Sequence, residues 1–540
     1  MKTKRVLMLA LVFCLVVSLA ACGGGGAKEA DKGFEMTICI ASEPESIDPA
    51  LNRTVDGSNM IPHMFEGLMK YVNDGKGNAV LTEGQAKSYE MSDDGLVYTF
   101  KLRDDAKWSD GQPVTAKDFV YAWQRLVTPE TAAEYNYMID AVVNANEIMA
   151  GDKDPSELGI KALDDSTVEI TLHTPTPYFL EVCAFPATFP VRQDMIEKGG
   201  DQWTFDPATY IGNGSYKLSE WKHNSYLKMV KTDPDSIKFV LMDDDNAKLA
   251  AYRSGELLHI WYPPVDEIPG LLSSGELVAN DLLATYYACF NVEKPPFDDP
   301  RVREAFSLAI DRNYIVKQIT GTGEAPAGGF VPNGVNDLAG PGHDDFRTVG
   351  GDYYSVDPAD YKANCDKARA LLAEAGYPGG KGFPIVDYMY NTMDLHRAIA
   401  EALQNMWQTE LGVTVSLNNQ EWNVFLDTRK DGNYMVARNG WTADYNDPIT
   451  FLDMFVSTSG NNDSQYKNPK FDAVIAKVKS AKTAEERFAG MHEAEDILFA
   501  DKVLAPIFFY TQPYMQSDKV KGVYYSPLGN FYFQYATLEE

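Results

Sequence analysis

Strand-like and helix-like spacings of apolar residues are interleaved along the chain. Met36 to Ala41 is a short apolar run that reads as a strand. From Ser88 to Leu102 the pattern has period two: Leu96, Tyr98, Phe100 and Leu102 share one face, and Asp94-Gly95 supplies the turn of a hairpin. The period then lengthens. Thr115, with Asp118 three residues on, has the form of a helix N-cap. Phe119, Trp123, Leu126 and Val127 follow at helical spacing, and Thr128-Pro129 ends the run. A second acidic turn, Asp164-Asp165, precedes alternating Val168, Ile170 and Leu172. Asp299-Pro300 joins a cap to a proline at the first helical position and predicts a helix reaching about Thr320-Gly321.

Further on, Pro384 to Tyr390 reads as a strand, Leu395 to Leu411 as a helix stopped by Gly412, and Val413, Val415 and Leu417 as a second strand. Strand, helix, strand is a βαβ unit, which predicts an α/β protein with a mostly parallel sheet. Glu421 to Lys430 reads as a helix, Gly432 breaks it, and Tyr434 to Arg438 reads as a strand. No fixed-period repeat is visible.

Length and charge narrow the class. The 540 residues are 45% hydrophobic and 23% charged, an ordinary globular composition. That length predicts roughly three or four domains. The net charge of −30 would repel phosphate backbones, so nucleic acid is not expected as a partner. Thirty Tyr, 26 Phe and 8 Trp exceed the needs of one small core. An aromatic-lined cavity and several separate cores both account for them.

The first residues read as an address. Met1 to Arg5 is basic, Val6 to Val17 is apolar but short for a membrane span, and Leu19-Ala20-Ala21-Cys22 follows. Small residues before a cysteine resemble the bacterial lipoprotein signal, with Cys22 lipidated and residues 1–21 removed. Residues 22–33 then form a glycine-rich tether. Losing Lys2, Lys4 and Arg5 takes the mature charge from −30 to −33. Of the other cysteines, Cys14 lies in the leader; Cys39, Cys183, Cys289 and Cys365 are widely spaced, without a C-x-x-C, and Cys39 and Cys289 read as buried thiols.

Catalytic signatures are missing. There is no H-E-x-x-H, G-x-S-x-G or G-x-G-x-x-G after a strand. Gly376 to Gly382 falls short of a P-loop and reads as a helix end and turn. The histidines at 63, 173, 223, 259, 343, 396 and 492 show no metal-ligand spacing, and Asp243 to Asp245 reads as a turn or solvated face. No metal or cofactor is expected. A glycosidase-type carboxylate pair has no short motif, so that chemistry stays open.

Three stretches carry a family resemblance: Lys107-Trp-Ser-Asp-Gly-Gln-Pro-Val-Thr-Ala-Lys-Asp-Phe-Val-Tyr-Ala-Trp-Gln-Arg125, Lys294-Pro-Pro-Phe-Asp-Asp-Pro-Arg-Val-Arg-Glu-Ala-Phe306, and Glu421 to Arg429 continuing through Val436 to Pro448. They resemble the oligopeptide-binding proteins of peptide-importing ABC transporters, family 5 of the extracellular solute-binding proteins. The likeness runs from about Glu43 to the C-terminus. It implies a large, three-domain protein of periplasmic-binding-protein-like type II, with two lobes, mixed sheets, a hinge and a ligand cleft. Domain I would comprise residues 34–65, 193–283 and 512–540, domain II 66–192 and domain III 284–511. The cleft would lie between I and III. The implied function is not enzymatic: a monomeric, lipid-anchored receptor outside the cytoplasmic membrane captures short peptides and delivers them to permease subunits with cytoplasmic ATPases. A binder of murein peptide, nickel chelate or haem is the rival within the fold, and a secreted hydrolase the rival outside it.

The resemblance also implies site residues. Asp444 matches a carboxylate that meets the ligand's α-ammonium. Arg438 and His396 match groups that meet the α-carboxylate of peptides of different length, and Arg429 another cleft arginine. Trp422, Trp441 and Tyr135 match aromatics of side-chain pockets, for which a core role is the alternative. The strand ending at Gly440 would pair with the ligand backbone. Departures stand at Arg53, beside Val55, where well-known members have Glu; at Phe185, in place of a pocket His; and at Ala284 and Thr442, in place of a cysteine pair. Arg53 implies a preference for acidic ligand side chains, with a solvated loop charge as the alternative.

Overall fold

The computed structural model describes residues 33–231, 235–337 and 344–539. The leader, the Cys22 anchor and all of the tether but its last residue lie outside the described residues. Ten strands make the path of the main sheet: β1 (Glu35–Ile40), β2 (Lys217–Lys222), β3 (Tyr226–Val230), β4 (Ser236–Leu241), β5 (His259–Trp261), β6 (Val278–Phe290), β7 (Val386–Asn391), β8 (Val415–Gln420), β9 (Val436–Thr442) and β10 (Leu504–Gln516). In space they run β8-β7-β9-β6-β10-β5-β1-β4-β3-β2, with Ala325–Pro326 paired to β10.

The sheet is mixed, which corrects the mostly parallel expectation. The βαβ unit does give parallel β7 and β8. However, β6 is antiparallel to both β9 and β10. Strands β6 and β10, each of 13 residues, carry the sheet through the middle of the molecule. From Leu282 to Phe290 every residue of β6 is buried, as expected for a continuous apolar run covered on both faces. Their register shifts between Asp281↔Thr511 and Thr285↔Phe509.

A second, four-stranded antiparallel sheet is built from residues 86–91, 97–102, 167–171 and 160–164, in that spatial order. Of the helices that matter to the site, α1 (Val55–Met64) is capped by Thr54, and α2 (Ala116–Val127) has the expected Thr115/Asp118 capping box. On α2, Trp123 is fully buried and donates to the Thr188 carbonyl at 2.8 Å. The next, α3 (Pro300–Leu308), is shorter than predicted. Buried Arg312 takes the carbonyls of Ser307 and Pro506, the chain turns, and Asp311 caps a new turn. Then come α4 (Asp394–Leu411), ended by Gly412 at φ +70°, and α5 (Trp422–Lys430), capped by Glu421.

Two further expectations need correction. Asp245 is no solvated charge: it is buried against Lys248, while Asp244 caps the helix that follows. Strand β9 extends to Thr442 instead of stopping at Arg438, because β6 pairs with it along its whole length. The four described cysteines are buried free thiols.

Candidate functional site

A cavity of about 340 Å³ opens where α1, α4, α5, β9 and β10 converge, within the range of small-ligand sites. All twelve residues singled out from the sequence line it: Arg53, Val55, Tyr135, Phe185, His396, Trp422, Arg429, Arg438, Gly440, Trp441, Thr442 and Asp444. Tyr135 and Phe185 stack with ring centres 5.3 Å apart. The indole N–H of Trp422 is buried without a partner among the described residues.

Strand β9 presents an open edge to this cavity. On one side β6 pairs with it from Val436 to Thr442, placing Ala284 directly opposite Thr442. On the other, β7 pairs only with Val436 and Ala437. From Arg438 onward that edge has no strand among the described residues, and those positions line the cavity. An extended ligand could add there as a strand, held by main-chain bonds that ignore its side chains. Gly440 leaves room for the Tyr510–Arg438 pair over the strand: a Cβ there would stand 3.0 Å from the Tyr510 hydroxyl and 3.4 Å from Arg438 Nη2.

Asp444 lies beyond one end of the edge. Its Oδ2 accepts hydrogen bonds from the Tyr137 hydroxyl at 3.2 Å and the Thr450 hydroxyl at 3.1 Å, and no cation pairs with it among the described residues. Burial pushes its carboxyl up to about 7. The loop that carries it is fixed from behind. Arg487 grips Asp447 through two bonds of 2.7 and 2.8 Å and lies over Tyr178, whose ring stacks on Tyr445 at 4.1 Å. Sequence reasoning found Asp444 but missed Tyr137, Thr450 and Arg487. Only proximity to marked residues (Tyr137 follows Tyr135 by two) could have pointed to the first two.

The other end is rich in donors. Arg438 Nη2 donates to the Tyr510 hydroxyl at 2.9 Å, and the guanidinium lies 5.3 Å from the centre of the Tyr286 ring. No carboxylate meets it among the described residues. His396 is buried with its Nδ1 unpartnered. Burial, then the neighbouring Arg438 charge, holds its pKa well below the ordinary value, so the ring is neutral. The Gln512 amide N is likewise buried and unpartnered. A guanidinium, an imidazole and an amide turned to one space suit a carboxylate.

The remaining arginines of the cavity and Lys430 are spent within the protein. Arg53 reaches Glu45 at 2.7 Å, Glu134 at 2.8 Å and Asp427 at 3.2 Å, and Lys430 also meets Glu134. With three carboxylates around it, Arg53 offers no open cation, which corrects the expected preference for acidic side chains. Arg429 is held by Asp463 at 2.8 Å and lies over Phe425. Among the described residues no group of three or more His, Cys, Asp or Glu is arranged to hold a metal, and no helix is long and apolar enough to cross a membrane.

An α/β chain with a large mixed sheet, two long shared strands and a cleft lined by charged ends and aromatic walls is a type II periplasmic-binding-protein fold. Comparison with known proteins gives the family. Residues 81–463 match the bacterial extracellular solute-binding proteins, family 5, middle region. The chain is 36% identical to the periplasmic oligopeptide-binding protein OppA of Salmonella typhimurium over 98% of each. It superposes on Haemophilus influenzae OppA in complex with the peptide RPPGFSPFR with a TM-score of 0.87 at 33% identity, covering 94% of this chain and 100% of that one. The chain belongs to the family 5 extracellular solute-binding proteins, a family of binding receptors. Against the Escherichia coli murein tripeptide-binding protein MppA the TM-score is 0.86 at 34% identity, covering 94% and 99% of the two chains. Against the unliganded open form of MppA it is 0.62 at 33% identity, covering 94% and 98%. With identity almost unchanged, the drop reflects conformation: the fold here is arranged unlike the open form.

Proposed function

We propose that this protein is a receptor, not an enzyme, that encloses short peptides in the cavity and delivers them to an ABC permease. Asp444 binds the α-ammonium, Arg438 and His396 the α-carboxylate, and the open edge of β9 the backbone between them. One observation carries this reading. Among the described residues, a carboxylate and a guanidinium without ionic partners line one cavity, separated by an unpaired strand edge, and that arrangement complements a zwitterion with a peptide backbone. Residues 34–65, 193–283 and 512–540 form domain I, 66–192 domain II and 284–511 domain III, with the cleft closing about β6 and β10. Lipid on Cys22 holds the monomer outside the cytoplasmic membrane.

Mass spectrometry of the natively purified protein tests the ligand class: short peptides should co-purify. A murein peptide, nickel chelate or haem would be recognised by mass, and fragments accumulating from added peptide would mark a hydrolase. Calorimetry tests the grip. Peptides with a free amino terminus should lose about 2–5 kcal/mol in Asp444→Asn, the cost of breaking a buried charge pair. N-acetylated peptides should bind poorly to the unmutated protein and lose little more. Equal affinity for free and acetylated peptides in the unmutated protein refutes the assignment of Asp444.

A further inference from the structure

The charges lining the cavity divide by whether the protein already neutralises them. Arg53, Lys430 and Glu134 hold one another, Arg429 is held by Asp463, and Lys248 by Asp245. Asp444 and Arg438 are left, and the two ends of a peptide account for both. Two carboxylates without an ion pair among the described residues remain over, and only one of them lacks side-chain hydrogen bonds. Asp56, in the first turn of α1, lines the cavity. Among the described residues its side chain forms no ion pair, and it meets only its own backbone N–H. Glu181 also lines the cavity, but it accepts the Asn446 N–H at 3.1 Å and the Tyr71 hydroxyl at 3.4 Å.

Asp56 has no evident structural task. The N-cap of α1 is Thr54, whose hydroxyl accepts the Gly57 N–H. The helix dipole eases a negative charge in a first turn, but such a charge is normally solvated. Asp56 is half-buried in the cavity wall, and that desolvation raises the carboxyl to about 7, with no cation to offset it. A half-buried acid facing the cavity without a counter-charge stabilises nothing until a cation arrives.

Its position along the ligand can be read from Gly529. A Cβ on that residue would stand 3.4 Å from Thr442 and 4.0 Å from the Val55 side chain, so the start of α1 lies beside Thr442. Thr442 is two residues from Asp444 and four from Arg438 in the chain. Asp56 therefore serves the half of the cavity nearer the ligand's amino end.

We propose that Asp56 receives a cationic side chain, of the lysine, ornithine or arginine class, carried by a residue in the amino-terminal half of the bound peptide. The proposal rests on the peptide-receptor reading above and adds a side-chain preference to it.

The test is calorimetry on ligand-free protein with trialanine and with tripeptides carrying lysine, or its uncharged isostere norleucine, at each position in turn. Lysine at the first or second position should bind roughly tenfold or more tighter than norleucine there, and lysine at the third should show no such advantage. In Asp56→Asn, checked for an unchanged melting temperature, the lysine-to-norleucine ratio should fall to near one. Equal binding of the two series at the first two positions overturns the proposal, and that comparison needs no variant. An advantage that survives in a folded Asp56→Asn also overturns it. Binding of trialanine with no lysine effect removes this proposal alone. Failure of every peptide to bind removes the receptor reading with it.

Discussion

Closing the cleft without a ligand should be self-limiting, and Asp444 sets much of the limit. In the closed cavity burial, aided by nearby Asp453, pushes its carboxyl from 3.8 to about 7, against the opposing hydrogen bonds from Thr450 and Tyr137. The raised value means that the closed, empty form holds this proton more tightly than an open, solvated one. Closure therefore bears the full penalty above pH 7, and the penalty shrinks as pH falls from 7 towards 3.8. At about 1.4 kcal/mol for each tenfold change in proton affinity, the penalty is at most about 4 kcal/mol. Asp56 titrates in the same window and adds to the effect. Ligand-free protein should thus be open at pH 8 and increasingly closed towards pH 5. Asp444→Asn keeps the shape, removes the charge and should raise the closed fraction already at pH 8. Small-angle scattering of ligand-free protein, read as radius of gyration between pH 8 and pH 5 at fixed salt, measures this. Superimposable profiles for the unmutated protein and the variant at every pH would refute the reasoning. So would a pH-dependent compaction that persists in full when Asp444 and Asp56 are both Asn.

Other outcomes follow from particular contacts. Arg53→Glu would place a fourth carboxylate among Glu45, Glu134 and Asp427, so peptide should dissociate roughly tenfold faster or more in stopped-flow experiments. High salt should partly mimic this, since Asp427 is exposed; an unchanged off-rate would show that these pairs do not hold the cleft shut. Gly440→Val puts a branched side chain against Tyr510 and Arg438 and should cost peptide affinity with little change in melting temperature; undiminished affinity would remove the open edge of β9 from the binding surface. Cys22→Ser should yield folded protein that is released or left unprocessed, and normally processed variant retained in the membrane fraction would sink the lipid anchor.

Local patterning carried further than long-range pairing. The Thr115/Asp118 box, the hairpin at Asp94-Gly95 and the Gly412 stop were legible because each is set by residues a few positions apart. The antiparallel pairing of β6 with β10 joins segments more than two hundred residues apart and leaves no local signature beyond an apolar run. Similarly, α3 was overextended because its end is imposed by Arg312 reaching the Pro506 carbonyl across the fold. At the site, residues inside long family motifs were found. Partners such as Tyr137 and Arg487 were not, because their roles exist only once distant segments meet. Arg53 shows the same limit in another form: its place on the wall was legible, but not the three acids that neutralise it.

On the proposed function, the two groups of charges in the cleft work against each other, and that opposition would make closure depend on cargo. Pairs such as Arg53–Asp427 and Lys430–Glu134 join residues far apart in sequence across the cavity wall and favour the closed form whatever is inside. Asp444, Arg438 and Asp56 oppose it, because closure strips their water and supplies no counter-charge. A ligand with an ammonium, a carboxylate and a cationic side chain reverses the second contribution and leaves the first intact. Moving a two-state equilibrium from 1:99 to 99:1 requires about 5.5 kcal/mol of differential binding. Relief of Asp444 would supply at most about 4 kcal/mol of that, so the other unneutralised charges must contribute as well. Main-chain pairing along β9 adds affinity but little discrimination between peptides. On the proposed function, selectivity falls to the few unneutralised charges, and the strand edge between them reads the backbone whatever the side chains.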